Sequence, residues 1–271
     1  MKVVNLGLLL VDSPRSKAYI QKLVKHSLIP QEAIFFAKEK SENSNSKRAS
    51  MSSVENAIVR AFNGRKYFLY DPKLKHNAVM IGNYAKPTKY LSFDVDEPVT
   101  VTLEKHDIPY HKVRAPSIND QRVIEAVRKA RPEHLVFCGG GILRTAILGA
   151  GKKFIHIHPG KVPEYRGSHC IEWSVLEGNS CWASAIFMSE EIDEGDLIAQ
   201  QDFPLPELEN NNVAALYSSH IRSELLIKIV KSFVQEGSFP SAMQDPKVGR
   251  TYYKMHPALT NLIFHELRTG C

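Results

Sequence analysis

His156 and His158 are separated by one residue in the run FIHIH (154–158). In an extended strand alternate side chains share a face, so both imidazoles point the same way. Imidazole donates, accepts or carries a proton near neutral pH, and it ligates metals. Further along, Asp193 stands in the acidic loop SEEIDEGD (189–196), two residues before Gly195. If that loop folds over the strand end, one carboxylate meets two imidazoles. Such a group can do general acid–base chemistry, or it can offer two nitrogens and a carboxylate oxygen to a metal ion. The plainer reading is a satisfied strand histidine and an aspartate that makes a turn. Two histidines together before Pro159-Gly160 strengthen the functional reading, but spacing alone does not decide it.

Two other features invite a chemical reading. Gly139-Gly140-Gly141 follows the apolar run HLVFC (134–138). Glycines after a strand let a ligand approach the main chain closely, or they simply turn the chain. The run is not a G-x-G-x-x-G fingerprint, so no dinucleotide site is read from it. Cys138 and Cys170 are more readily small buried hydrophobes than nucleophiles. The four cysteines, Cys138, Cys170, Cys181 and Cys271, show no paired spacing. That pattern suits free thiols in a reducing, cytoplasmic compartment.

The elements that must position these groups read as an α/β pattern. Residues 3–11 (VVNLGLLLV) are apolar without alternation, as in a strand covered on both faces. A single Lys precedes the run and no small-residue cleavage site follows, so a buried first strand explains it better than a signal peptide. A helix-like stretch covers about Pro14 to His26, and Ala33–Phe36 reads as a second strand. The order β, α, β opens a parallel, doubly wound sheet. Residues 38–53 are polar and read as a surface loop; residues 54–95 resist assignment. Val99 to Leu103 fits either strand or helix start, and IPYHKV (108–113) is strand-like. Asn119 and Asp120 can cap a helix with Val123, Ile124, Val127 and Ala130 on one face. HLVFC and FIHIH are expected as neighbouring central strands, joined by the glycine turn and a short helix (144–151). GKVPEYRGS (160–168) reads as a loop, 169–178 as a helix, WASAIFM and LIAQQDF as strands, and about Asn212 to Gln235 as a long amphipathic helix.

Bulk properties narrow the class. Of the 271 residues 43% are hydrophobic and 24% charged, which allows a soluble domain with a sizeable core. Net charge is +6, mild and spread along the chain, so no nucleic-acid partner is read from it. No stretch approaches the roughly 18 continuous apolar residues of a membrane span.

The run from Leu135 to Leu197 resembles the catalytic core of the folate-dependent formyltransferase family. That family includes methionyl-tRNA, glycinamide ribonucleotide and sugar-amine N-formyltransferases. Its pattern is a buried strand with a glycine turn, a strand ending N-x-H-P, a loop L-P-x-Y-R-G, and a D-x-G loop between two strands. Here the matching segments are LVFCGGGIL, HIHPGKVPEYRG and EEIDEGDLIAQ. Weaker similarity runs from about residue 108 to Tyr252-Tyr253. The resemblance implies a Rossmann-like α/β fold, mostly parallel with helices on both faces, over residues 1–205. Residues 206–271 would form a C-terminal helix and tail packed on it.

The resemblance also implies roles. The family's catalytic His falls on His158 and its Asp on Asp193, while the catalytic Asn position holds His156. In the family the Asn and His donate hydrogen bonds to the formyl oxygen, and the Asp orients the His and helps move the proton. A neutral imidazole at 156 still offers one N–H. The folate pocket would be main chain at Gly139, Gly140, Gly141, Ile142 and Leu143 together with Glu191, Ile192 and Asp193, and Arg166-Gly167 would shape the catalytic wall. The implied cofactor is 10-formyltetrahydrofolate and the implied partner a small-molecule amine, such as a nucleotide-linked amino sugar. Methionyl-tRNA members carry a further C-terminal barrel, whereas about 65 residues follow Leu205 here, so a tRNA substrate is not expected. The residues themselves leave open other one-carbon chemistry, namely formimidoyl transfer or formyl-folate hydrolysis. They equally leave open a metal-dependent or non-catalytic binding protein built on His156, His158 and Asp193.

Overall fold

A computed structural model of the chain describes residues 1–39, 92–139, 141–205, 211–245 and 247–269. The expected polar loop at 38–53 and the unassigned stretch 54–95 lie largely outside the described residues.

Seven strands form one sheet in the order β3-β2-β1-β4-β5-β7-β8. The strands are β1 (Lys2–Leu10), β2 (Leu28–Lys38), β3 (Tyr110–Ala115), β4 (His134–Phe137), β5 (Lys153–His158), β7 (Trp182–Phe187) and β8 (Leu197–Asp202). Pairing is parallel from β3 through β5, and antiparallel for β5 with β7 and β7 with β8. The expectation of a mostly parallel sheet with HLVFC beside FIHIH is met: Leu135 pairs with Phe154 and Val136 with Ile155. β6 (Tyr165–Gly167) and β9 (Arg250–Tyr252) make a small separate parallel pair. The segment 160–168, read as a loop, therefore contains a short strand. Its partner arrives from much later in the chain, which local pattern cannot show.

The β1 residues divide between two cores. Leu6, Leu8 and Leu10 join a cluster with Tyr19, Ile20 and Leu23 of α1 (Pro14–Lys25) and with Leu216, Ile221, Leu225 and Val230 of α6 (Asn211–Glu236). Leu9 joins Phe36, Phe137 and the apolar face of α3 (Gln121–Lys129), with Val123, Ile124 and Val127. A strand covered on both faces needs apolar residues at every position, which accounts for the unbroken run in β1. Ser13 caps α1 and Asp120 caps α3, each side chain accepting from a first-turn backbone N–H. Lys22 of α1 and Glu224 of α6 form an ion pair that joins the two helices.

Val99–Lys105 is a helix, α2. Its β-branched run favours a strand locally, but Val99, Thr102 and Leu103 fall on one helical face and are buried. Burial of that face outweighs a propensity difference of a few tenths of a kcal/mol per residue. Two shorter helices, α4 (Thr145–Leu148) and α5 (Cys170–Gly178), flank β5 in the chain, and α7 (Pro257–Thr269) closes it.

After β1 the chain builds outward through β2 to β3, then crosses to the other side of β1 as β4. Beyond the carboxyl ends of β1 and β4, the crossovers leave in opposite directions and a crevice opens. The glycine turn follows β4 there, and α1 begins there after β1.

Candidate active site

β5 carries His156 and His158 on one face, and the nine-residue connection from β7 to β8 brings Asp193 to them. Met188 N–H donates to the Phe154 carbonyl at 2.8 Å, so the connection leaves β7 alongside the start of β5. Gly195 then presses against β7. A Cβ there would stand 1.8 Å from the Phe187 carbonyl oxygen, so only glycine fits. Gln244, from far along the chain, donates to the carbonyls of Asp193 (3.0 Å) and Gly195 (2.6 Å). Asp193 itself has φ +57°, in the left-handed region that Asp and Asn tolerate best among residues with a side chain. The turn expected of this aspartate is present, and the same residue faces the two imidazoles.

The Asp193 carboxylate is well held. Its Oδ2 accepts from Gly167 N–H at 2.9 Å and lies 3.2 Å from His158 Nδ1. Burial alone would raise its pKa. The neighbouring His158, His156 and Gly167 N–H outweigh that and hold the carboxyl below the ordinary range. On the other edge of the His158 ring, Nε2 lies 2.8 Å from the Tyr165 carbonyl oxygen. A carbonyl only accepts, so Nε2 carries a proton and Nδ1 is the nitrogen facing the carboxylate. Gly160 makes room for this packing: a Cβ there would stand 2.8 Å from His158 Nε2.

His156 is placed differently. Its Nε2 is 4.0 Å from Asp193 Oδ1, too far for a hydrogen bond, and its Nδ1 has no partner among the described residues. Burial pushes its pKa well below the usual histidine value. Asp193 opposes this, and Arg15 and Arg222 reinforce it. The ring is therefore neutral at physiological pH, with one N–H and one lone pair. The resemblance implied that His158 donates to a formyl oxygen, but its Nε2–H is already engaged by Tyr165. His156 is the imidazole with bonding capacity left.

A cleft of about 510 Å³ covers these groups. His156, His158 and Asp193 line it, as do Gly139, Gly141, Ile142, Leu143, Glu191 and Ile192. Gly140 lies outside the described residues. Gly139 and Gly141 have φ +114° and +126°, so the turn they make needs residues without a side chain. Arg166 is buried with Nη1 3.1 Å from Glu194, and with Gly167 it supports the aspartate loop from behind. Cys138 and Cys170 are buried, and burial pushes both thiols up, away from reactive thiolate chemistry.

Sequence reasoning missed Arg15, Tyr165, Arg222 and Gln244. Arg15 and Arg222 line the cleft. Arg222 left one readable signal: it stands three and four residues before the buried Leu225 and Leu226, so it falls on the apolar stripe of its helix. Tyr165 acts through its carbonyl and Gln244 through a distant loop, and neither leaves a local trace.

The sequence profile described as Formyl transferase matches residues 69–225. The chain belongs to the formyl transferase family. Methionyl-tRNA formyltransferase from Syntrophus aciditrophicus (strain SB) is 29% identical over 140 residues, covering 51% of this chain and 44% of that protein. The enzyme of the same name from Bacillus cytotoxicus (strain DSM 22905 / CIP 110041 / 391-98 / NVH 391-98) is 30% identical over 158 residues, covering 57% and 50%. The chain thus spans about half the length of the curated relatives it matches, or less. A sugar N-formyltransferase from Shewanella sp FDAARGOS_354 shares the fold, with a TM-score of 0.50 at 14% identity over 97% of this chain and 87% of that one.

Proposed function

We propose that this family member transfers a formyl group from 10-formyltetrahydrofolate to the amine of a small molecule. One observation carries the reading: His156, His158 and Asp193 converge in a cleft that the glycine turn after β4 also lines. The residues present fit the folate. The left-handed glycines leave main chain open to a flat ligand, and His156 Nδ1 is a buried polar atom in want of a partner. Gly139, Gly141, Ile142, Leu143, Glu191 and Ile192 would hold it, and when bound it supplies the formyl carbon.

The chain's own part is electrostatic and protonic. The neutral His156 ring would donate its N–H to the formyl oxygen where negative charge develops, in place of the family's asparagine amide. An attacking amine would become cationic and would have to lose a proton for transfer to proceed. Asp193 would accept that proton at Oδ1, while His158, whose ring the Tyr165 carbonyl holds in place, supports the carboxylate through Oδ2. Asp193 would then hold a proton that it could return to the leaving group.

Residues 1–205 would be the catalytic unit, with 206–271 packed on it; the α6 residues sharing a core with α1 support this. A cytoplasmic setting is consistent with three buried, unpaired cysteines, and no described helix is long and apolar enough to cross a membrane. The test is direct. Purified protein is given 10-formyltetrahydrofolate and a panel of small amines, and release of tetrahydrofolate is followed optically. Release without any amine would indicate hydrolysis instead. No binding of 5-formyltetrahydrofolate at millimolar concentration would end the folate reading.

A second reading is favoured by one geometric fact: ligand atoms of His156, His158 and Asp193 all lie within 4.8 Å of one another. His158 Nε2–H held by a carbonyl also matches the outer support usual for metal-bound histidine. Elemental analysis of the protein as isolated separates the readings. Stoichiometric metal that is lost in His156→Asn would favour a metal centre, and activity indifferent to chelators would exclude it.

A further inference from the structure

Two late stretches of the chain, residues 242–244 and β9, grip the His158–Asp193 pair from outside. Ala242 exchanges backbone hydrogen bonds with Leu197, where β8 begins, donating at 2.9 Å and accepting at 2.8 Å. Two residues on, the Gln244 amide nitrogen donates to the carbonyls of Asp193 and Gly195. An amide nitrogen carries two hydrogens, so one side chain ties both residues in place. Arg166 Nη2 lies 3.4 Å from Gln244 Oε1, which fixes the end of the amide that faces the loop. β9 then pairs with β6, Arg250 beside Tyr165 and Tyr252 beside Gly167. Side chains at Gly167 or Gly249 would collide with the backbone of Tyr252 or Pro163, so these segments meet closely. β6 in turn supplies the groups that hold the pair. The Tyr165 carbonyl faces His158 Nε2, and Gly167 N–H donates to Asp193 Oδ2.

The aspartate needs such a grip. It is buried, and its backbone is in the left-handed region, which a residue with a side chain occupies only at a cost. That state persists where the surroundings over-determine it. Gln244 bonds to backbone on the loop, so it can set where the carboxylate stands without touching a substrate. The earlier part of the same connection has its own anchor: the Ser189 hydroxyl donates to the Glu191 carbonyl at 3.2 Å. Glu191 and Ile192, which would face the folate, can therefore keep their place when Gln244 is changed.

We propose that Gln244 is a positioning residue for the reaction: its amide holds the Asp193 carboxylate against His158 and beside His156, while β9 backs the wall that holds the same pair. The bearing on formyl transfer rests on the reading above; the tie itself does not. The late stretches thus belong to the catalytic unit, although they lie in the C-terminal part packed on residues 1–205.

The test compares the wild type with Gln244→Met, which keeps the length and removes both N–H groups, and Gln244→Asn, which keeps the amide and shortens its reach. Gln244 is half-buried, so neither change opens the core. The amide proton of Gly167, followed by NMR, reports the carboxylate without any reaction. In Gln244→Met it should move upfield, towards its position in Asp193→Ala, while that of Leu9, fully buried in β1, stays. A displaced catalytic group costs on the order of a hundredfold per ångström, so kcat should fall by about tenfold to a hundredfold. The Kd for 5-formyltetrahydrofolate should stay within about threefold, well under the roughly tenfold that 1.4 kcal/mol represents. Gln244→Asn should lie between Gln244→Met and the wild type in both readouts, and it carries the same comparisons should Gln244→Met fail to fold. A Gly167 resonance unmoved in Gln244→Met overturns the tie. A moved resonance with wild-type kcat overturns its bearing on the reaction. Folate affinity lost in proportion to kcat overturns the positioning role, leaving Gln244 a prop of the whole connection. A moved resonance in a protein whose wild type transfers no formyl group to any amine keeps the tie and removes the formyl-transfer reading.

Discussion

His156 stands where the family pattern has asparagine, and the structure gives it one unused ring nitrogen and a neutral charge state. As an oxyanion donor it should be replaceable by the amide it displaced. His156→Asn is expected to keep or raise formyl-transfer activity, whereas His156→Ala should lower kcat on the order of a hundredfold, measured in steady state. An unchanged rate in His156→Ala would remove the residue from the mechanism. The same burial makes a stability prediction. The folded state resists protonation of His156 and the unfolded chain does not, so below about pH 6.5 the unfolded state binds more protons and stability falls with pH. Urea unfolding should show the wild type losing on the order of 1 kcal/mol per pH unit more than His156→Asn between about pH 6.5 and 5. The comparison cancels His26, His134 and His220, which are also shifted down, each mainly by burial. Asp193, held low, contributes stability above its unfolded pKa of about 3.9 that is lost in stronger acid, outside that window. His156, His158 and Asp193 were candidates from their spacing, and the resemblance to the family pattern was needed to favour them. Arg222 was readable only as a charge on the apolar stripe of a long helix, and its place in the cleft depends on packing that the sequence does not show.

At the scale of the element, the β7–β8 connection determines whether Asp193 reaches His158. Glycine at 195 and the Gln244 side chain hold it, one from each side. Gly195→Ala has nowhere to put its methyl group except against the Phe187 carbonyl. It should cost roughly 2 kcal/mol or more in equilibrium unfolding, with a larger fall in kcat than in substrate affinity as the carboxylate leaves its place. Wild-type kcat in Gly195→Ala would show that the loop's position does not matter to the reaction. The acidic loop was readable as a turn because Asp and Gly sit two apart. Its direction was not, because it depends on β7 running antiparallel to β5 and on a glutamine from another part of the chain. The β4–turn–β5 unit was readable throughout, since two short apolar runs joined by glycines admit few arrangements.

For the whole molecule, the long C-terminal helix is part of the core and of the cleft at once. Leu225 of α6 is fully buried in the core cluster shared with α1, and Arg222 one turn earlier lines the cleft. Leu225→Ala should therefore lower unfolding free energy by about 2–5 kcal/mol in urea titration. A loss well under 1 kcal/mol would mean that α6 is loosely attached. That the helix exists followed from its periodicity. That it packs on α1 did not, because the two helices come from distant parts of the chain and meet only once the sheet has brought them to one face.

The pairing of β6 with β9 also gives the molecule an intrinsic optical probe. Tyr252 of β9 contacts both Tyr165, stacked on it with ring centroids 5.3 Å apart, and Trp173, tilted against it at the same distance. The Trp173 indole N–H is bonded to the Tyr253 carbonyl, while the Tyr165 carbonyl holds His158. Any ligand that shifts Tyr165 or the Tyr252 wall must change the surroundings of an indole that itself touches no reacting group. The emission of Trp173 can thus report occupancy of the cleft in real time, without a label and without waiting for turnover, and its amplitude should vanish in Trp173→Phe while binding persists.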